Sequence, residues 1–566
     1  MARAVADALN LPPALGRLLA ARGILAAEDA RRFLRPLLEH LAVPGLLADA
    51  DRAVARIRRA LDAGETILVH GDYDVDGICS AALLTRVLRR LGGHVVPFVP
   101  HRVRDGYDLG ATGIRTATEA GATLIVTADS GILAHAAVAD AAAAGIDVVV
   151  TDHHTPGATL PPAVAVVNPN RADCEYPFKG LCGAGVAWTL CRALAEGTGL
   201  ADEDLAWYLD LVALATVADL VPLADENRVL VRIGLRALER TRNPGLRALL
   251  EVSGLADGPV ESGKVGFVLA PRINAMGRMG DAAEALRLLL TEDAAEAAEL
   301  ARRLDEQNRI RQGEDRRTLE EALDLLARDY DPTRDYGVVL AREGWHPGVI
   351  GIVASRVVER IHRPAVLVAL DGDRGRGSAR SVPGFHLHRA LTDCAGHLGR
   401  WGGHAQAAGM DVGAADVAPF REAFNARARS ELEGRDLRPT LRVDLELALG
   451  EADLALVDLL RWVGPHGIGN PRPVFLVRGA ELAGPARVVG KGHLRLRLGG
   501  GKGSAGTPIV DAIGFGLAER HAPDALPDGP LDVAVQLMDD DWSGRRRLKA
   551  KVLDLRPAEP ADGHPA

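Results

Sequence analysis

"ETILVHGDYDVDGICSAALLTRVLRRLGGHVVPFV", residues 65–99, decides the fold. An apolar run from Thr66 to His70 leads into a turn dense in acid and glycine, then an Ala/Leu-rich helical stretch, then a second apolar run from His94 to Val99. Runs of strand length recur at Thr123 to Thr127, Ile146 to Thr151 and Ala163 to Val167, each followed by punctuation and helical sequence. This alternation predicts a mostly parallel sheet covered by helices, because parallel neighbours need crossover connections. Helical texture then dominates from Gly183 to Leu250.

Working outward, residues 281–330 are rich in Glu, Arg, Ala and Leu and contain no proline, which predicts a long helix or helix pair joining two lobes. A second α/β segment follows, with strands at Gly337 to Ala341 and Ala365 to Leu370 and glycine-rich loops at "GRGSARS" and "WGGHAQAAGM". Past Leu437 short alternating runs between Gly/Pro turns predict a small all-β barrel. The expected division is therefore 1–280, an N-terminal segment and catalytic α/β domain; 281–330, a connecting helix; 331–436, a smaller α/β domain; 437–556, the barrel; and 557–566, a disordered tail.

Composition narrows the class. At 48% hydrophobic and 25% charged the 566 residues can build several cores. Five cysteines with no C-x-x-C pair write neither a disulfide framework nor a zinc ribbon. No stretch is apolar enough to span a membrane, and charges and prolines occupy the N-terminal positions of a signal sequence, so a cytoplasmic location is expected. A net charge of -9 argues against a uniformly basic coat but not against local patches. Of 67 basic residues all but six are Arg, the side chain that grips phosphate through a bidentate fork.

Three carboxylates, Asp72, Asp74 and Asp76, fall within five positions of the first turn and call for cations to offset their repulsion. An EF-hand begins in the same way, yet its twelfth position would be Leu83 instead of a bidentate Glu, and a strand precedes it. Asp129 follows the third strand, and Asp152, His153 and His154 follow the fourth. Carboxyl ends of parallel strands are where an open α/β sheet places its ligand crevice, so one pocket can collect all of them. Asp219 ends an apolar helical run, where a lone carboxylate is costly unless paired or metal-bound. Hard oxygens with imidazoles suit Mn²⁺ or Mg²⁺, and bridging acids suit a pair of ions. Taken singly, Asp129 or Asp219 reads as a helix cap and His154 as a satisfied core or surface histidine; the convergence of the acids and imidazoles at three strand ends is what points to metal catalysis.

"DYDVDG", "ADSG", "DHH" and "VADLVPL", in this order, resemble the four signature motifs of the DHH phosphoesterase superfamily. "RINAMGRMGDA", "GWHPGVIGIVASRV", "GSARS" and "GGHAQAAGM" are similar to its DHHA1 domain, and "LPPALGRLLAARGI" and "GPHGIGNPRPVF" resemble its single-strand-specific DNA exonucleases. The resemblance implies a parallel-sheet DHH domain, a long helix, a smaller α/β DHHA1 domain and an OB-fold barrel. It implies two divalent ions, Mn²⁺ preferred or Mg²⁺, held by Asp74, Asp76, Asp129, His153 and Asp219, with His70, Asp72 and His154 as further ligands or supporting groups. It implies phosphate contacts from Arg102, Arg272, Asn274, Ser378, Arg380 and His404. It also implies digestion from the 5′ end to mononucleotides in recombination and repair, by a monomer, with single-strand-binding protein and a RecQ-like helicase as partners. The alternative is a phosphodiesterase of short oligoribonucleotides or cyclic dinucleotides. A third reading, a binding protein with a decayed site, is disfavoured because every expected acid is present.

From Arg461 to Arg497 seven basic residues stand against Glu481 alone, a local excess of six charges. An OB-type groove for a single strand is expected there, using Trp462, Arg472, Arg478, Lys491 and Arg495, with Trp542 a further aromatic candidate and Phe475 assigned to the barrel core.

Overall fold

The structure is a computed structural model and describes residues 1–102, 104–500, 508–527, 529–540 and 544–558. Its first sheet holds β1 (Thr66–His70), β2 (His94–Phe98), β3 (Ala122–Thr127), β4 (Asp147–Thr151) and β5 (Ala165–Val167) in the order β2-β1-β3-β4-β5. All four pairings are parallel, as the alternation predicts. The strand order reverses direction at β1, so the crevice falls at the carboxyl ends of β1 and β3. Between β1 and β2 runs the helix Val75–Arg90, started by Asp74, whose side chain accepts from Gly77 N, and ended with Arg89 and Arg90 against the negative pole.

Two helices, Ala282–Leu290 and Ala294–Asp329, join the lobes. The break between them is a restart: Asp293 accepts from Ala295 N and Glu296 N and caps the second helix, which runs about 54 Å at 1.5 Å per residue.

The second lobe is a mixed sheet of β6 (Val338–Glu343), β7 (Ala365–Asp371), β8 (Arg374–Arg380), β9 (Trp401–Gly403) and β10 (Ala407–Gly413), ordered β6-β7-β8-β10-β9. Here the sequence reading needs correcting. "GRGSARS" and "WGGHAQAAGM", expected as loops, supply β8, β9 and β10. Glycine and arginine have little intrinsic strand preference; β8 is held because β7 and β10 pair along its whole length from both sides.

Seven strands close the third unit: β11 (Leu445–Glu446), β12 (Phe475–Leu482), β13 (Arg487–Val489), β14 (His493–Gly499), β15 (Val510–Gly514), β16 (Leu531–Asp540) and β17 (Arg547–Pro557). A β12–β14 pairing bends this sheet into a barrel. β17 continues through Pro557, and the rest of the expected tail, from 559, lies outside the described residues, as does Trp542.

The N-terminus also departs from the expected division. Helices Ala2–Leu9, Pro13–Ala21 and Ala27–Leu34 place Val5, Leu15, Leu18 and Leu19 in one core with Leu460, Phe475 and Val533 of the barrel, not in the catalytic domain. Arg22 fixes the arrangement, with its Nε 3.2 Å from Asp444 Oδ1 and Nη2 donating to Pro471 O at 2.8 Å. The periodicity of these helices shows an apolar face but not the partner it covers.

Candidate metal centre

β1, β3 and β4 deliver their terminal loops to one place. Asp129, at φ 62° just past β3, turns its buried carboxylate toward His153, whose Nε2 is 3.1 Å from Asp129 Oδ1, 3.6 Å from Asp219 Oδ2 and 3.8 Å from Asp76 Oδ2. Ligand atoms converge in three overlapping sets: Asp129, His153 and His154; Asp76, His153 and Asp219; and Asp72, Asp74 and Asp129. Asp129 and His153 each belong to two.

The surroundings fix these groups from behind. Asp76 accepts from Gly183 N at 2.6 Å and Ala184 N at 2.8 Å, the free amides at the start of the helix Gly183–Ala195. No side chain fits at position 183, where a Cβ would lie 2.5 Å from Asp129 Cβ. Asp152 turns away from the centre and accepts from Ile132 N, His153 N and His154 N, with His154 Nδ1 at 2.8 Å. It positions the His154 ring and the backbone of both histidines instead of joining a ligand set. Asn168 and Asn170 donate to the carbonyls of His154 and His153.

Charge in the cage is frustrated. Burial, then repulsion from Asp76 and Asp74, holds the Asp129 carboxyl well above its usual range, and the same causes push Asp219 up to about 8. Asp72 rises through burial and its neighbour Asp74. Burial pushes the His153 imidazole down. Burial also opposes charge on His154, but the Asp152 hydrogen bond and charge outweigh it and raise the group to about 9. Among the described residues Asp72 Oδ1, Asp129 Oδ1 and His153 Nε2, all buried, have no hydrogen-bond partner. Orphaned hard oxygens and an imidazole nitrogen aimed at one point are a costly arrangement unless a cation completes it, so the donor set fits Mn²⁺ or Mg²⁺.

His70 is an exception among the expected ligands. As the last residue of β1 its ring packs on Phe98, centroids 5.1 Å apart, and it lies outside the three converging sets. Burial lowers its pKa to about 4.

Across a cleft of about 310 Å³ the acids face Arg102, Asn274 and Arg278. Arg272, expected to grip phosphate, turns instead to Asp305 on the long helix, 2.9 Å away, and to Val268 O. The guanidinium that this motif puts in the cleft is Arg278, six residues on within "RINAMGRM"; burial and the charges of Arg102 and Arg380 lower it to about 10. Arg380 Nη1 donates to Ser378 Oγ at 3.1 Å, and Gly351 lets both approach, since a Cβ there would meet each at 2.9 Å. His404 is exposed at the β9–β10 turn. Sequence reasoning also passed over two aromatics: Tyr73, under the Arg102 guanidinium at 5.1 Å, and Tyr107, whose hydroxyl is 3.4 Å from the His154 ring nitrogens.

On the barrel, Lys491 and Arg495 are exposed, whereas Arg478 pairs with Glu446 and Asp532 and Arg472 with Glu261. Trp462 sits between Arg35 and Arg232, at 5.9 and 5.5 Å, and so cements the junction of barrel, N-terminal helices and catalytic lobe.

The chain matches the model of the DHH family N-terminal domain over residues 66–216, the DHHA1 domain over 335–430 and the RecJ OB domain over 443–554. The single-stranded-DNA-specific exonuclease RecJ of Dickeya dadantii is 40% identical over 570 residues, which covers 97% of this chain and 96% of that protein. The chain belongs to the RecJ family. RecJ of Bacillus subtilis is 36% identical across 98% of this chain and 70% of its own length. The crystal structure of Thermus thermophilus RecJ in complex with Mn²⁺ superposes with a TM-score of 0.84 at 35% identity, over all of this chain and 79% of that one. A RecJ fold therefore carries this acid and imidazole cluster, and the all-parallel sheet, mixed second sheet and closed barrel are those of the family.

Proposed function

We propose that the chain is a metal-dependent exonuclease that hydrolyses single-stranded DNA from the 5′ end and releases mononucleotides, in recombination and repair. One observation carries this reading: a cage of orphaned carboxylate and imidazole donors faces Arg102, Arg278 and Asn274 across one narrow cleft. The relatives named single-stranded-DNA-specific exonuclease support the substrate.

Asp74, Asp76, Asp129, His153 and Asp219, with Asp72 and His154, would hold two divalent ions, Mn²⁺ or Mg²⁺. When bound, such ions supply Lewis acidity to phosphoryl oxygen and make water a nucleophile at neutral pH. The chain's own residues do the rest. Arg278 and Arg380, with Ser378 and Arg102, grip the 5′-terminal phosphate and set the register of the scissile bond. Asp152 keeps a proton on His154 Nδ1, which would leave Nε2 as the nitrogen able to ligate an ion. Tyr73 and Tyr107 line the cleft beside Arg102, their ring centroids 6.3 Å apart, where they can stack on a base.

A cleft that admits one strand needs a source of single strands. A RecQ-like helicase to open duplexes and single-strand-binding protein to present the product are the partners this reading calls for. We place the reaction in the cytoplasm; no helix among the described residues is long and apolar enough to cross a membrane.

A long single strand labelled at either end, incubated with Mn²⁺ beside its duplex and an RNA copy, tests the reading. The 5′ label should appear at once as mononucleotide and the 3′ label last, with the duplex intact and EDTA stopping release. Endonucleolytic fragments, or activity persisting in EDTA, would refute it. Faster turnover of a diribonucleotide or cyclic dinucleotide than of the long strand would favour the small-substrate alternative.

A further inference from the structure

A cavity of about 760 Å³ opens beside the free edge of β2 and exceeds the 310 Å³ of the catalytic cleft. One segment walls both. Phe98, His101, Arg104 and Asp105 face the cavity, whereas Arg102 and Tyr107 face the cleft. Through Phe98 the cavity also touches His70, at the end of the strand that leads into the acidic turn.

The cavity lining carries four arginines, Arg89, Arg104, Arg115 and Arg287, against three acids, an excess of one positive charge. The acids are held in place: Asp105 accepts from His101 N at 2.8 Å and Thr112 Oγ1 at 3.1 Å and also feels the charge of Arg104, Asp281 accepts from Ala283 N, and Glu296 takes Thr291 and Arg287. Glu296 neutralises Arg287. Among the described residues Arg89 and Arg104 make no ion pair, and Arg115 has only an exposed 3.9 Å pair with Glu119. Arginines gathered on a concave wall select phosphoryl oxygens, which their forked donors match. Phe98, Leu286 and Leu290 add an apolar patch of the kind a nucleobase covers, and the volume lies within the range of small-molecule sites.

An extended acidic peptide is the rival occupant, and β2 is built against it. Pro97 offers no N–H along the free edge, and Arg89 Nη2 already takes Val95 O at 3.1 Å.

We propose that this cavity is a second nucleotide site, which binds a nucleoside 5′-phosphate through Arg89, Arg104 and Arg115 and steadies the segment that carries Arg102. A released mononucleotide and a nucleotide of the free pool present the same chemistry. Their sugars tell them apart.

The test is calorimetric titration of the full chain carrying Asp129→Asn, so that nothing turns over, with dAMP, AMP and inorganic phosphate in EDTA. A nucleotide site should persist when Arg278→Ala is added and weaken by about tenfold or more with Arg104→Glu and Arg115→Glu. Tighter dAMP than AMP assigns the site to product, and the reverse to the free pool. Arg115→Ala alone, with an unchanged circular dichroism spectrum, should give part of the loss and guards against misfolding of the double variant. A single site removed by Arg278→Ala overturns the proposal, as does binding indifferent to both glutamates, phosphate binding as tightly as dAMP, or displacement of dAMP by an oligoglutamate peptide. These outcomes concern nucleotide binding alone, so they stand apart from any failure of the nuclease assay.

Discussion

His153 Nε2 lies 3.1 Å from Asp129 Oδ1, yet the two atoms are not aligned for a hydrogen bond, and neither has a hydrogen-bond partner elsewhere among the described residues. Burial and nearby carboxylates favour the protonated form of Asp129, and burial favours the neutral form of His153. A divalent cation reverses both preferences, because bound metal becomes the largest local charge. The pair is thus poised for a cation and poorly satisfied without one.

Asp129→Asn should therefore separate stability from activity. The substitution removes a carboxylate from a crowd of them, so the metal-free chain should melt about 2–4 °C higher, the shift that roughly 1 kcal/mol gives in a domain of this size. Hydrolysis should fall to background. Thermal melts in EDTA and the end-label assay check the two halves; an unchanged or lower melting point would show that the repulsion is not felt.

Mn²⁺ affinity should rise with pH. Asp219 must lose its proton to serve as a ligand, and burial with Asp76 and Asp74 has pushed it up to about 8, so the apparent Kd falls through that value and levels off above it. In EDTA the sign is opposite. From about 4 to about 8 the folded chain keeps a proton that the unfolded chain has released, so this group's contribution to stability is lost as pH climbs through that window. Asp219→Asn should flatten both profiles, measured by titration and by melting.

Arg278→Ala and Arg272→Ala should have contrasting effects. The first removes a cleft guanidinium and should raise KM for 5′-phosphorylated strands, with less effect on strands ending in a hydroxyl. The second takes one of two guanidiniums from Asp305, which keeps Arg309 at 2.8 Å, and should lower the melting point with little change in KM. Equal KM changes would mean that Arg272 reaches substrate after all.

Asp152→Asn should cost about 10–100-fold in metal affinity or activity even though Asp152 belongs to no ligand set, because it orients the His154 imidazole and holds the backbone of His153. Isothermal titration with Mn²⁺ reads the effect directly; wild-type affinity would deny Asp152 its positioning role.

Lys491→Ala and Arg495→Ala should weaken binding of long single strands, each lowering the slope of log affinity against log salt by about 0.7 if it contacts a phosphate. Trinucleotide cleavage should hardly change. The same loss on both substrates would make the barrel a structural unit.

The sequence makes the catalytic sheet legible because its signal is local: β1, β3 and β4 are apolar runs, and the acids stand just past their ends. Asp129 and His153 are legible for that reason. Arg272 and Arg278 are not distinguishable by type or motif; they differ in which side of one helix meets Asp305 and which meets the cleft, and that depends on packing against a distant helix. β8 fails for another reason, since only its two neighbours make a strand of Gly and Arg. The pairing of the first 34 residues with a barrel more than 400 positions away has no local signature.

That last pairing sets an order of events at the ribosome. These helices emerge well before the barrel, but Leu15, Leu18 and Leu19 find their permanent cover only when Phe475 and Val533 have been synthesised. Until then an apolar face waits in the open while the DHH and DHHA1 domains are made, and the nascent chain has to keep it from aggregating.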